Sequence, residues 1–349
     1  MGHGPFSHAF EAALKKLDKN EYRSHEAWTA DIIRGDTSLG RAMRDKLGSD
    51  ATDAVAQLLL QDTPTDIYSS IVSSQFDADR LDYVRRDRLM TGAQYGAFDY
   101  SWILANLEVA KVAVSIDDEQ FAEVDILVLG HKAFQAAESY VLGLFHLYFT
   151  VYFHKATRSA ECMMSAMVER LGMLILRKDI DITGLFEGHP LVNFVNQRSL
   201  ESYLGLDDSI IWGSLPFIAA GKDQVLATLA QRLLQRDLYK AVDVTTRCDG
   251  NDAKTTRFRM ALSAACERGD FEADEVFVDT PSRNPYTRRG YDTPEALKKV
   301  LIYSHASGSY DDLANQSEVI RGLSEKKILR VYVRDNMARE KVEEILKGI

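Results

Sequence analysis

Between His131 and Leu176 the sequence contains no proline, and Phe134, Ala137, Val141, Leu144, Phe145 and Tyr148 recur at the spacing of a helix with one buried face. A stretch this long without a breaker commits the chain to a helical core. Leu39–Leu60 also reads as helical, with a break near Gly48-Ser49-Asp50. Leu174–Tyr239 continues helical with breaks at Gly184, at Gly188-His189-Pro190 and at Gly213–Pro216. Beyond residue 240 the texture changes. Glu275–Asp279, Lys299–Tyr303 and Ile328–Val333 are short β-rich runs, and Thr255–Glu267 and Asn336–Leu346 are helical patterns. The expected architecture is mainly α: a helical domain over residues 1–240, then a smaller α+β region over residues 241–349.

Composition narrows the partners. The formal charge of -10 argues against general binding to nucleic acid or anionic membranes, while leaving room for a local basic pocket that takes small anions. Cys162, Cys248 and Cys266 are scattered and odd in number, which suggests neither a disulfide framework nor a thiolate metal site and fits a reducing compartment. The most apolar run, Leu142–Phe153, is interrupted by His146 and followed by His154 and Lys155, so no membrane span is expected. Nothing at Met1-Gly2-His3-Gly4-Pro5 resembles a signal peptide, and the expectation is a soluble, cytoplasmic protein.

Chemistry concentrates in Ser74–Asp87. On a helix, Asp79, Tyr83 and Asp87 fall at i, i+4 and i+8 and share one face, while Leu81, Val84 and Leu89 turn toward packing and Asp82 can pair with Arg86. The bland alternative is a solvated, salt-bridged helix. Near the chain start, Pro5 suits a first helical position, which sets His8 and Glu11 one turn apart. Ser24 is a candidate N-cap for an Ala27–Ile33 helix with His25 and Glu26 at its entrance. Met90–Gly96 reads as a loop whose glycines permit close approach to a ligand, Trp102–Val109 as a short helix and Lys111–Ser115 as a strand. Tyr148, Tyr152 and Lys155 follow helical spacing beside His154, as a core stripe with polar tips would. Met163, Met164, Met167 and Met173 read as gap-filling core. Pro281–Gly290 is a turn-rich loop with Arg283, Arg288 and Arg289, read as a solvated surface ahead of a phosphate grip.

The ordered set Gly2-His3-Gly4-Pro5-Phe6-Ser7-His8, His25-Glu26, Asp77-Ala78-Asp79-Arg80-Leu81-Asp82-Tyr83, Asp87 and Tyr152-Phe153-His154-Lys155 resembles the HD-domain phosphohydrolases, in their deoxynucleoside triphosphate triphosphohydrolase (dGTPase-like) branch. Order and spacing agree through about residue 155. A weaker likeness extends through Glu275–Pro281 and Ser317–Val333.

The resemblance implies a helical HD-domain catalytic core in which two histidines and two aspartates hold a divalent metal (Mg, Mn, Fe or Zn). A dNTP would be cleaved to deoxynucleoside and intact triphosphate. By matching position, His3, His8 and His25 would contact phosphate and move protons, with Glu26 orienting His25 and Glu11 doing the same for His8. Arg80 would bind phosphate, Tyr83 and Tyr152 would wall the sugar pocket, and Asp87 would accept the sugar 3′-hydroxyl. Asp79 would be the last metal ligand in sequence. The family's signature continues backward from Gly2 into a His-Asp dyad and one further histidine, and this sequence begins after them. The metal is therefore expected to be weak or absent here, which leaves both an active and an inactive chain open. Two alternatives stand beside this reading: a catalytically silent nucleotide-binding or regulatory protein, and an HD enzyme acting on another phosphate ester. The resemblance further implies a homo-oligomer and a nucleotide effector.

Overall fold

The computed structural model describes residues 2–18, 22–117, 120–284, 286 and 297–349. It is mainly α, with eighteen α-helices among the described residues and a strand-containing carboxy-terminal region. Two compact units are each assembled from separated stretches. One comprises Met1–Ile32, Lys155–Ser282 and Lys327–Ile349; the other comprises Ile33–His154 and Arg283–Lys326.

The first unit is built on the Lys155–Leu176 helix, whose 22 residues reach roughly 33 Å. Its buried Met163, Met164, Met167, Val168, Leu171 and Ile175 pack with Ala9, Phe10 and Ala13 of the His8–Leu17 helix and with Leu226, Leu229 and Leu233 of the Gln224–Gln235 helix. Met163, Met164 and Met167 are core as expected, whereas Met173 is half-buried outside that cluster. The break at Pro190 is real: Pro190 opens a helix, and the His189 ring caps it by accepting from Leu191 N (3.2 Å). The expected break at Gly213–Pro216 is absent, because Asp208–Ala219 is one helix with Pro216 inside it. Burial of Ile211, Leu215 and Ile218 in the same core offsets the lost hydrogen bond.

The β-rich runs of this unit form a three-stranded antiparallel sheet in the order Lys240–Asp243, Arg330–Val333, Val276–Asp279. Strand alternation divides its two faces. Tyr332 joins the helical core, while Val331 and Val333 face a second core with Phe258, Leu262, Ala338 and Val342 from the Asp252–Glu267 and Asn336–Lys347 helices.

The second unit carries a long antiparallel hairpin, Leu107–Asp117 against Gln120–Gly130, which contains the expected Lys111–Ser115 strand. Leu301–Ser304 joins it in parallel, and Ser309–Asp312 completes a four-stranded sheet. The expected Trp102–Val109 helix is shorter and earlier, Tyr100–Ala105, because Leu107 already pairs with Leu129 across the hairpin.

The proline-free stretch is also not one helix. It runs as an α-helix over Phe134–Leu147, widens to a π-helix over Tyr148–Tyr152, where Phe153 N donates to Tyr148 O (2.7 Å), and restarts at Lys155. Met90 and Thr91 belong to the Ala78–Thr91 helix rather than to a loop, and Gly92 is its left-handed C-cap (φ 70°). Gly96 makes a close approach, though to protein: a Cβ at Gly143 would lie 2.8 Å from the Gly96 Cα. Of the Pro281–Gly290 loop, Arg288 and Arg289 lie outside the described residues.

This contact gives a direct check. Gly143→Ala, which must push apart two backbones, is expected to destabilise the protein by about 1–3 kcal/mol. Gly213→Ala, inside a helix with open space around its Cβ position, is expected to stabilise it by up to ~1 kcal/mol. Denaturant unfolding of both variants measures the pair.

Candidate functional site

Five of the expected residues, His3, His8, Glu11, His25 and Glu26, meet in the first unit. The chain enters through Gly2, whose N donates to Thr29 Oγ1 (2.9 Å) and whose carbonyl accepts from the Tyr203 hydroxyl (2.6 Å). A Cβ on Gly2 would lie 2.1 Å from His25 O, so only glycine lets this segment lie against the His25–Arg34 helix. Pro5 is not a helical residue as expected but part of the turn before the helix. The helix starts at His8, after Phe6 (φ 53°) and Ser7 (φ 49°), both in the left-handed region that non-glycine residues seldom occupy.

This strained turn sets three imidazoles side by side. The ring of His3 stacks on His25 at 4.0 Å, with His8 edge-on to both at 5.7 and 6.0 Å. Glu11 is the hub. Its Oε1 accepts from the Tyr22 hydroxyl (2.8 Å) and from His25 N (3.0 Å), and lies 3.2 Å from His25 Nδ1, while Oε2 lies 3.2 Å from His8 Nδ1. Glu26 holds the other nitrogen of His25, with Oε1 3.0 Å from Nε2.

The electrostatics follow from this packing. Burial opposes the Glu11 charge, but hydrogen bonds from Tyr22, His25 and His8 outweigh it and hold the carboxyl at about 2. The Tyr22 phenol, buried and donating to that carboxylate, is raised to about 12. Partial burial, then the neighbouring His25 and His8 rings, lower the His3 imidazole from its ordinary value and keep it neutral at pH 7. Its Nδ1 lies 2.9 Å from the Ser7 hydroxyl.

The remaining expected residues lie in the second unit, on and beside the Ala78–Thr91 helix, where Tyr83, Asp87 and Tyr152 meet. Asp77 is its N-cap, accepting from Arg80 N (2.7 Å), and the helix sets Asp79, Tyr83 and Asp87 at successive turns. Asp82 pairs with Arg86 (2.9 Å), as the spacing suggests. Arg80 Nη1 donates to Asp77 Oδ2 (2.6 Å) and to Ser74 O, so part of this guanidinium is committed inside the protein. From the π-helix, the Tyr152 hydroxyl donates to Asp87 Oδ2 (2.7 Å), and its ring stands edge-on to Tyr83 at 6.0 Å. Burial raises both phenols well above their ordinary value; for Tyr83 the neighbouring Tyr148 adds to this, and for Tyr152 the Asp87 carboxylate does.

Three contributors were not singled out from sequence. Tyr22 has no motif around it. Tyr148 appeared only as a core-stripe residue, although its ring stands edge-on to Tyr152 at 5.0 Å and its phenol helps raise that of Tyr83. Arg283, expected to be solvated, lies 4.1 Å over the Tyr148 ring.

The implied divalent metal was tested against the donors present. Asp79 is an exposed carboxylate on its helix, and among the described residues no group of three His, Cys, Asp or Glu side chains is placed to hold a metal ion. These residues do not by themselves make a metal centre, and no chemistry below is routed through one.

The Glu11 hub generates a pH signature. Its carboxyl titrates lower in the folded chain than in the unfolded one. Its contribution, on the order of 3 kcal/mol, is therefore complete above the ordinary carboxylate pKa and is lost as pH falls toward about 2. Glu11→Gln is expected to lower stability at neutral pH and to remove that part of the acid limb. Unfolding of both proteins between pH 7 and the acid range reads the difference.

Comparisons with known proteins agree with this architecture. Residues 116–188 match a family described as the HD associated region. The chain is 29% identical over 334 residues to Uncharacterized protein YwfO of Bacillus subtilis, covering 94% of this chain and 69% of that one. It is 23% identical over 294 residues to Uncharacterized protein MG461 of Mycoplasma genitalium, covering 81% and 63%, and 29% identical over 206 residues to Uncharacterized protein MJ1154 of Methanocaldococcus jannaschii, covering 58% and 38%. The chain thus spans 38% to 69% of the length of these relatives. Among solved structures, a phosphohydrolase from Bacteroides thetaiotaomicron superposes with a TM-score of 0.66 at 23% identity over 95% of this chain and 76% of that one. A hypothetical protein from Aquifex aeolicus gives 0.67 at 22% over 99% and 76%. No helix among the described residues is long and apolar enough to cross a membrane. The chain thus shares the fold of these solved structures and carries, over residues 116–188, a match to the HD associated region.

Proposed function

We propose that this chain provides the phosphate-handling and sugar-binding residues of a metal-dependent triphosphohydrolase that converts a deoxynucleoside triphosphate and water to deoxynucleoside and triphosphate. The observation that carries the reading is the trio His3, His8 and His25 gathered on Glu11. Three clustered imidazoles with fixed orientation suit a reaction in which charge develops on phosphoryl oxygens and protons must move. Water adds to the α-phosphorus, the bond from phosphorus to the sugar 5′-oxygen breaks, and that oxygen takes a proton. Neutral His3 accepts a proton, His8, oriented by Glu11, hydrogen-bonds phosphate oxygens, and His25, whose two ring nitrogens face Glu11 and Glu26, reaches phosphate by giving up its Glu26 contact. Tyr83 and Tyr152 pack against the deoxyribose, and the Asp87 carboxylate, which has acceptor capacity beyond its one bond to Tyr152, takes the 3′-hydroxyl. Arg80 supplies positive charge for the phosphates. A divalent metal is expected only where further ligands join Asp79, which alone does not hold one.

The proposal extends to a cytoplasmic homo-oligomer responsive to a nucleotide effector. Light scattering with and without dNTP tests self-association.

The decisive assay compares this chain with the same chain translated together with its in-frame upstream codons, supplying manganese or magnesium and separating products by chromatography. Triphosphate and deoxynucleoside from the longer protein are expected. A nucleoside monophosphate product would assign a different phosphate ester chemistry, and binding without turnover in the longer protein would assign a silent nucleotide-binding role. In that longer protein, Asp79→Ala is expected to abolish metal-dependent turnover with the helical circular dichroism unchanged; full turnover would remove Asp79 from the site. Tyr152→Ala is expected to narrow the preference for dGTP over GTP, read as the ratio of kcat/KM values.

A further inference from the structure

A cleft of about 440 Å³ opens in the first unit, lined by none of the residues assigned above. Its floor is held by backbone bonds. Ile328 N donates to Pro281 O (3.0 Å), Val244 N donates to Leu329 O (3.0 Å), and Leu329 N donates to Thr245 Oγ1 (2.7 Å). Its wall is the amino-terminal half of the Asp252–Glu267 helix.

The lining is rich in donors. Thr245 Oγ1 already accepts from Leu329 N, which leaves its proton to give. Thr256, Thr280 and Ser282 add hydroxyls, whereas the Thr255 hydroxyl donates to Asn251 O (2.9 Å) and offers only an acceptor. Arg259 makes no hydrogen bond or ion pair among the described residues, and Lys327 brings a second cation. Asp252 is the one carboxylate in the lining among the described residues, so cations outnumber anions among them in a chain whose formal charge is -10. Among the described residues no aromatic ring lines the cleft, so none of them stacks a base there.

Hydroxyl donors converging from three elements, with an unpaired guanidinium and an ammonium, match a tetrahedral oxyanion that accepts on every oxygen. We propose that this cleft binds a phosphoryl group, presented by free polyphosphate or by the polyphosphate tail of a nucleotide. The site is separate from the proposed catalytic residues and stands or falls independently of them.

Hydrogen exchange of the full chain, with inorganic tripolyphosphate and separately with dATP, tests it. Tripolyphosphate is expected to slow exchange in residues 244–256 and 327–329, and Arg259→Gln with Lys327→Gln to raise the half-saturating concentration by on the order of ten-fold. Arg257→Gln, on the same helix outside the lining, is expected to change nothing. Because Arg259 and Lys327 are exposed, the double variant is expected to keep its unliganded exchange pattern, which the same experiment records. Equal protection by dATP is expected if the tail alone is recognised. Protection by dATP but not by tripolyphosphate, protection that survives the double variant, or none in these residues would overturn the proposal.

Discussion

A single carboxylate organises the chemistry of the first unit. Glu11 receives the Tyr22 hydroxyl, the backbone N of His25 and contacts from two imidazoles, close to the four acceptor positions that a carboxylate offers. Such saturation explains why it stays ionised to about 2 although it is largely enclosed. It also fixes ring orientation. A histidine with one nitrogen committed can present only the other, or a face, to a ligand. The left-handed turn at Phe6 and Ser7 is therefore intelligible: it aims His3 at the face of His25, and Gly2, Tyr203 and Thr29 hold the segment in place against that strain.

The second unit solves a similar problem with aromatic rings. A regular α-helix would continue past Leu147. The wider π turn instead carries Tyr148 and Tyr152 together, with Tyr152 bonded to Asp87 and edge-on to both Tyr83 and Tyr148. Four side chains from two elements thus lock one another, and Arg283 closes the stack over Tyr148. Rigid aromatic walls of this kind discriminate by shape, since their rings lose little freedom on binding.

Much of this was legible beforehand, and the failures have physical causes. Helix existence followed from periodicity, and the Asp82–Arg86 pair and the His8–Glu11 contact followed from helical spacing. Proline was overweighted at position 216, where packing of Ile211 and Leu215 overrides it, and at position 5, where a turn precedes the helix. The π segment left no trace in the pattern, because its aromatic residues also satisfy an α stripe. Glu11 was visible as a partner of His8 but not of His25, since the second contact joins residues 14 apart in sequence through tertiary folding. Tyr22 and Arg283 were invisible for the same reason. The glycines near residue 96 signalled a close approach correctly, yet what approaches is another helix's backbone.

The interleaving of the two units has a consequence for biosynthesis. The carbonyl of Gly2 is anchored by a hydroxyl 201 residues further along, and the first unit is completed only by residues 327–349. On a ribosome the imidazole-bearing segment must therefore wait, without its Tyr203 anchor, while the whole of Ile33–His154 is made. Closing so long a loop costs little extra free energy but slows assembly. The second unit, most of it contiguous, is free to condense first and occupy the nascent chain during that interval.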